Sequence, residues 1–150
     1  MNKSAEFSSY APLLSKFISL IKPKRILEWG PGGSTAIMFN MCPGAEIITY
    51  EHRIEWFIPA VKKLARPNVY LRYATKEDYY DPGVHGKFDL IFIDGWWRNE
   101  CLLYALKVIS DDGVVILHDC DRPRYESAWK PNYNVLARSN GTLVLKPKGK

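Results

Sequence analysis

The stretch RILEWGPGGSTAIM, residues 25–38, decides how the chain is read. An apolar run reaches an acid, Glu28, and then breaks into Gly30-Pro31-Gly32-Gly33-Ser34-Thr35 before apolar residues resume. A strand that ends in a carboxylate and runs through glycines into a helix is at least a tight turn. It is also the form of a cradle for a nucleotide-like ligand, because glycines let backbone approach a ligand and a helix start offers unpaired N–H groups.

Short apolar runs recur after it: EIITYE (46–51), NVYLRYA (68–74), FDLIFID (88–94) and GVVILHD (113–119). Segments of helical character, 34–41, 54–65 and 98–109, lie between them. An amphipathic helix over 6–21 precedes the first run and stops at IKPK, where the pre-proline residue favours extended backbone. Strands alternating with helices predict a parallel sheet, and nearly continuous apolar strands predict cover on both faces. The chain ends differently: YNVLAR (133–138), Ser139-Asn140-Gly141 and TLVLKP (142–147) predict an antiparallel hairpin. The expectation is one α/β domain over 1–150 with three layers and a mostly parallel seven-stranded sheet that ends in this hairpin.

A chain of 150 residues can bury a core without staples, and an apolar fraction of 47% excludes disorder as the default. Three scattered cysteines, Cys42, Cys101 and Cys120, form no CxxC pair, which argues against a disulfide framework or structural zinc. No apolar stretch approaches a membrane span, and MNKSAEF lacks the apolar core of a signal peptide. A soluble cytoplasmic protein is the expectation. The net charge of +5 gathers largely before the first strand and in the tail, as in a solvated basic tail rather than a nucleic-acid surface.

In open α/β sheets, ligands sit beyond the carboxyl ends of the strands. Those ends here read Glu28-Trp29-Gly30, Glu51-His52, Ala74-Thr75-Lys76, Asp94-Gly95-Trp96-Trp97 and His118-Asp119. Glu51 follows Gly30 by 21 residues, the distance expected of an acid that binds ribose hydroxyls. A dinucleotide fingerprint needs a third glycine where Thr35 stands, and a P-loop needs a lysine that GGST lacks.

The pattern E-x-G-x-G-x instead resembles the first motif of the class I S-adenosylmethionine-dependent methyltransferases. The likeness runs over about residues 24–146: IITYE is similar to the second motif, FDLIFIDG to the fourth, and DDGVVILHD to the fifth strand. FIDG with the later His-Asp looks like the small-molecule O-methyltransferase branch, and Arg98-x-x-Cys101 with Arg122-Pro123-x-Tyr125 looks like a bacterial subgroup. The resemblance implies a Rossmann-like methyltransferase fold and S-adenosylmethionine as cofactor. Gly30, Pro31, Gly32, Gly33 and Ser34 would line the methionine portion, and Glu51, with His52 beside it, the ribose. Glu28 would orient the loop or meet the cofactor's ammonium through water. Thr75 and Lys76 would border the adenine, and Trp96 would stand against the cofactor.

For catalysis the resemblance offers two routes. In catechol-type relatives a divalent metal is held by two acids, matched by Asp94 and Asp119, and by an Asn. Cys120 replaces that Asn, and a thiolate suits Mg²⁺ poorly, so a metal is not favoured. The alternative is His118 as general base, its tautomer fixed by Asp119 or Asp94, against the plainer reading of a strand-end histidine satisfied by backbone. Arg98, Arg122 and Arg124 could clamp an anionic acceptor or stand as ordinary loop arginines. Trp97, Tyr125 and Trp129 could wall the acceptor pocket or cover the sheet.

Methyl transfer to a small, anionic acceptor is therefore the first expectation. A non-catalytic S-adenosylmethionine-binding module acting through a partner is the second. An RNA methyltransferase is disfavoured, and so is DNA amino-methylation, because Asp94-Gly95-Trp96-Trp97 is not the Asn/Asp-Pro-Pro-aromatic motif of those enzymes. The short stretch 120–132 leaves little room for a helix after the fifth strand, which predicts a bare flank and self-association into a homo-oligomer to cover it.

Overall fold

A computed structural model describes residues 3–119 and 121–149. Cys120, and with it the comparison to a metal-holding Asn, lies outside the described residues. The elements run α1 (Lys3–Ile21), β1 (Arg25–Trp29), α2 (Gly33–Met41), β2 (Glu46–Glu51), α3 (Ile54–Leu64), β3 (Val69–Tyr73), α4 (Glu77–Tyr80) and β4 (Phe88–Ile93). They continue with α5 (Arg98–Val108), β5 (Ile109–His118), a 3₁₀ turn (Pro123–Tyr125), α6 (Glu126–Trp129), β6 (Tyr133–Ser139) and β7 (Thr142–Pro147).

The seven strands form one sheet in the order β3-β2-β1-β4-β5-β7-β6. Strands β1 to β5 are parallel, β7 is antiparallel to β5, and β6 closes the hairpin on β7. Strand order reverses between β1 and β4, which makes their carboxyl ends the natural crevice.

Alternation along each strand explains the continuous apolar runs. Leu27 and Trp29 of β1, Ile91 and Ile93 of β4 and Val115 and Leu117 of β5 face one core with α5 and α6. Ile26, Leu90, Phe92, Val114 and Ile116 face the other, under α1 and α2. Successive side chains point to opposite faces, so a strand covered on both sides must be apolar throughout. Glu28 takes the second face by the same period, beside Thr49 of β2. Helix α1 contributes Tyr10, Leu14 and Ile18, four residues apart and all buried, to that second core.

Two elements depart from expectation. β5 begins at Ile109 rather than Gly113, because Ile109 pairs with Phe88 ahead of a register shift that leads to Leu90 opposite Val114. Asp111-Asp112-Gly113, which reads as a turn, is extended strand here. The short helix α4 was not legible at all. It inserts a fully buried Tyr79, whose carbonyl accepts the Trp29 indole N–H at 2.8 Å.

The flank predicted to be bare is covered among the described residues. Tyr125, Ala128, Trp129 and Tyr133 are all buried, and the Tyr133 hydroxyl donates to the Leu102 carbonyl at 2.6 Å. The 3₁₀ turn and α6 take the place of a full helix over this part of the sheet. Trp129→Ala should therefore cost about 3 kcal/mol in urea unfolding, as for an aromatic removed from a packed core; a loss within about 0.5 kcal/mol would show that α6 does not seal the flank.

Candidate functional site

The site is built on the buried carboxylate of Glu28. Ser34 Oγ donates to its Oε2 at 2.6 Å, Thr49 Oγ1 donates to its Oε1 at 2.8 Å, and Thr35 Oγ1 also donates to Oε1. The Thr35 oxygen in turn accepts the Gly32 N–H at 3.0 Å. The glycine loop is thus anchored from beneath to β1 and β2, and Thr35 is the link in the place where a dinucleotide fingerprint has glycine. Glu28 is 0% exposed and forms no part of the cleft wall, so it orients the loop. Burial pushes its carboxyl up to about 7, against the opposing pull of the three hydroxyl donors.

Above that anchor, a cleft of about 660 Å³ opens at the reversal of strand order. Gly30, Pro31, Gly32, Gly33 and Ser34 line one side, Glu51 and His52 another, and Asp94, Gly95 and Trp96 a third. Gly30 is required by the fold: its φ is +93°, and a Cβ there would meet the Asp94 carbonyl at 2.7 Å. Gly32 is different. Its backbone is extended, and a Cβ would meet nothing within 4 Å, so the molecule itself does not need a glycine there. Gly95 supports the third wall, since a Cβ on it would fall 1.8 Å from the Tyr79 hydroxyl.

Glu51 is buried at the end of β2, where the His52 and Arg53 backbone N–H groups donate to its Oε1 at 3.2 and 3.1 Å. Burial raises its carboxyl above the ordinary range. The His52 ring sits edge-on to Tyr79, Trp96 and Trp97, with centroids 5.3 to 5.8 Å away. Burial first, and the neighbouring Arg53 second, lower its pKa.

The cleft also takes in residues that the sequence reading missed: Tyr10 from α1, and Arg53 and Trp56 from the start of α3. Tyr10 packs its ring against Phe92 and His118, at 5.2 and 5.1 Å, and nothing in the local sequence distinguishes it from the rest of its helix face. Arg53 and Trp56 follow Glu51 closely in the chain, which was the available signal. Thr75 and Lys76 lie at the end of β3 outside the cleft lining, where Lys76 leads into α4.

On the far side, Arg98, Arg122, Arg124 and Tyr125 complete the wall. Arg122 and Arg124 are exposed. The Arg124 guanidinium lies 5.1 Å from the Tyr125 ring centre and donates to its hydroxyl at 3.1 Å. Arg98 is committed inward: Nε donates to the Gly95 carbonyl at 2.9 Å, Nη1 to the His118 carbonyl, and Nη2 to Asp94 Oδ1 at 3.1 Å. His118 is 3% exposed, and neither it nor Asp119 lines the cleft.

Asp94, His118 and Asp119 bring ligand atoms within 4.8 Å of one another, which would suit a divalent ion by donor type. The guanidinium of Arg98 lies between the two acids, however, 3.1 Å from Asp94 and 3.8 Å from Asp119. A dication added there would face a fixed positive charge, so these residues do not fit a metal as they stand.

No protein-family model matches the chain, and no curated protein matches it in sequence. Solved structures match it in fold. The cofactor-bound protein Rv0187 from MTB superposes with a TM-score of 0.76 at 17% identity, covering 100% of this chain and 82% of that one. An O-methyltransferase from Bacillus cereus in complex with SAH gives 0.74 at 16% identity, over 97% and 81%. The SAH-bound methyltransferase PaMTH1 of Podospora anserina gives 0.71 at 21% identity, over 99% and 80%.

The Glu28 anchor has a pH signature. Its native pKa of about 7 lies above the ordinary 4.5, so between these values the folded state holds a proton that the unfolded chain has lost. Stability should fall as pH rises through that window, by about 3 kcal/mol from this group. Urea unfolding at about pH 5 and about pH 8 should show the fall in the parent chain and a clearly flatter profile in Glu28→Gln. Equal slopes in the two proteins would contradict the assignment. The chain has the Rossmann-like methyltransferase fold, an α/β sheet with its cleft at the ends of β1, β2 and β4.

Proposed function

We propose that the chain transfers a methyl group from S-adenosylmethionine to a small anionic acceptor. The observation that carries this reading is the open face of Gly32. A glycine that no neighbour requires borders a cleft whose opposite wall is the buried carboxylate of Glu51. A bound ligand supplies the missing reason for the glycine. Gly30, Pro31, Gly32, Gly33 and Ser34 would hold the amino-acid part of the cofactor, at the loop that leads into α2. Glu51 would accept hydrogen bonds from the ribose hydroxyls, its other oxygen already fixed by the backbone of His52 and Arg53. Trp96, 55% exposed, offers a face for the adenine or the sulfonium.

The cofactor supplies a methyl group on a cationic sulfur, and transfer is an in-line displacement in which alignment is the enzyme's main contribution. The chain's residues set out the acceptor side. Arg122 and Arg124 face the cleft and can pair with a carboxylate or phosphate. Asp94 lines the cleft but is paired with Arg98, and His118 is buried behind it. An acceptor whose nucleophilic oxygen enters already ionised needs no protein base, which agrees with an arginine-rimmed entrance.

Calorimetry should detect binding of S-adenosylmethionine and S-adenosylhomocysteine, and Glu51→Ala should weaken it by at least about tenfold, the loss of a buried charge-assisted bond. Gly32→Ser should weaken binding while leaving unfolding free energy within about 0.5 kcal/mol of the parent, since serine suits the start of α2 at least as well as glycine. Absence of binding of either ligand at millimolar concentration would overturn the reading. Binding without turnover across carboxylate and phenolate acceptors would support the non-catalytic module instead.

With an acceptor in hand, Arg122→Ala combined with Arg124→Ala should raise KM by about tenfold or more and change kcat less. An unchanged KM, or equal use of neutral acceptors, would contradict the anionic assignment.

A further inference from the structure

The acidic cluster at the ends of β4 and β5 has its own cation built into the chain. Arg98 opens α5 one helical turn after Asp94, and only 10% of its side chain is exposed. Four groups receive its guanidinium: the carbonyls of Gly95 and His118 and the carboxylates of Asp94 and Asp119. Asp119 stands there with its backbone in the left-handed region, φ 56°, a conformation that aspartate tolerates better than most residues. His118 Nε2 lies 3.6 Å from the same carboxylate. Carbonyl and carboxylate oxygens arranged around one centre are the donor set of a hard dication. Here the centre is a guanidinium.

We propose that Arg98 is the resident cation of this cluster. It takes the position that a divalent ion would otherwise occupy, ties the end of β4 to the end of β5, and keeps the Gly95-Trp96 wall of the cleft in register without a metal. This role is independent of what the cleft binds. Removing the guanidinium while keeping an apolar stem should therefore uncover a metal site, because two carboxylates and His118 would be left facing each other. Retaining a positive charge with lysine should not.

The test is titration with Mn²⁺ alone, followed by calorimetry and by the paramagnetic resonance signal of the free ion. The parent chain and Arg98→Lys should bind no Mn²⁺ at submillimolar concentration. Arg98→Met should bind it at least about tenfold more tightly than either, because the like charge that opposes the ion is gone, and Asp119→Asn added to it should abolish the gain. Circular dichroism establishes which variants are folded. A folded Arg98→Met that gains no Mn²⁺ binding would overturn the proposal. So would tight Mn²⁺ binding by the parent chain that Asp119→Asn removes, a measurement that stands even if Arg98→Met fails to fold.

Discussion

A single carboxylate, removed from water and met by three hydroxyl groups, fixes the geometry on which the cleft depends. Glu28 points into the α1–α2 core because strand periodicity leaves it no other face, and a charge there is costly unless it is paired or hydrogen-bonded. Ser34, Thr35 and Thr49 meet that requirement and in doing so join the glycine loop, the start of α2 and strand β2. Thr35 passes the constraint on to the Gly32 amide. The loop is therefore held in shape by its own chain before any ligand arrives, which lowers the ordering cost of binding.

The second constraint is close approach. At Gly30 the end of β1 runs so near the Asp94 carbonyl that no side chain fits, while at Gly32 the space is open toward the cleft. The contrast separates a glycine that the fold needs from one whose side-chain position is empty. Opposite the loop, Glu51 is oriented by backbone, and Arg98 binds the ends of β4 and β5 into one wall. Three walls are thus fixed by three different means. The cleft's exposed arginines stand on two walls, Arg53 beside Glu51 and Arg122 with Arg124 across from it.

Much of this was legible in the sequence, and the exceptions have physical reasons. Strands β1 and β2 and the terminal hairpin are readable because double burial and an Asn-Gly turn leave strong local marks. The early start of β5 is hidden by Asp-Asp-Gly, a turn signal overridden by pairing of Ile109 with Phe88. Glu28, the glycines, Glu51, Asp94 and Trp96 could be placed at strand ends by topology alone. Tyr10 could not, since which residue of α1 reaches the cleft is set by packing across the sheet. Arg98 shows the opposite limit. The sequence puts it at the rim, but only the structure shows its guanidinium turned inward onto four oxygens, and Thr75 and Lys76 are adjacent to the site in sequence yet outside its walls.

The central claim is that this cleft is a cofactor site whose floor is the glycine loop anchored on Glu28. Backbone amide NMR during titration with S-adenosylhomocysteine tests it most directly. The amides of Gly30, Gly32 and Gly33, together with those of His52 and Gly95, should shift with a common saturation curve while those of β6 and β7 stay in place. Shifts confined to other surfaces, or none at saturating ligand, would contradict the account.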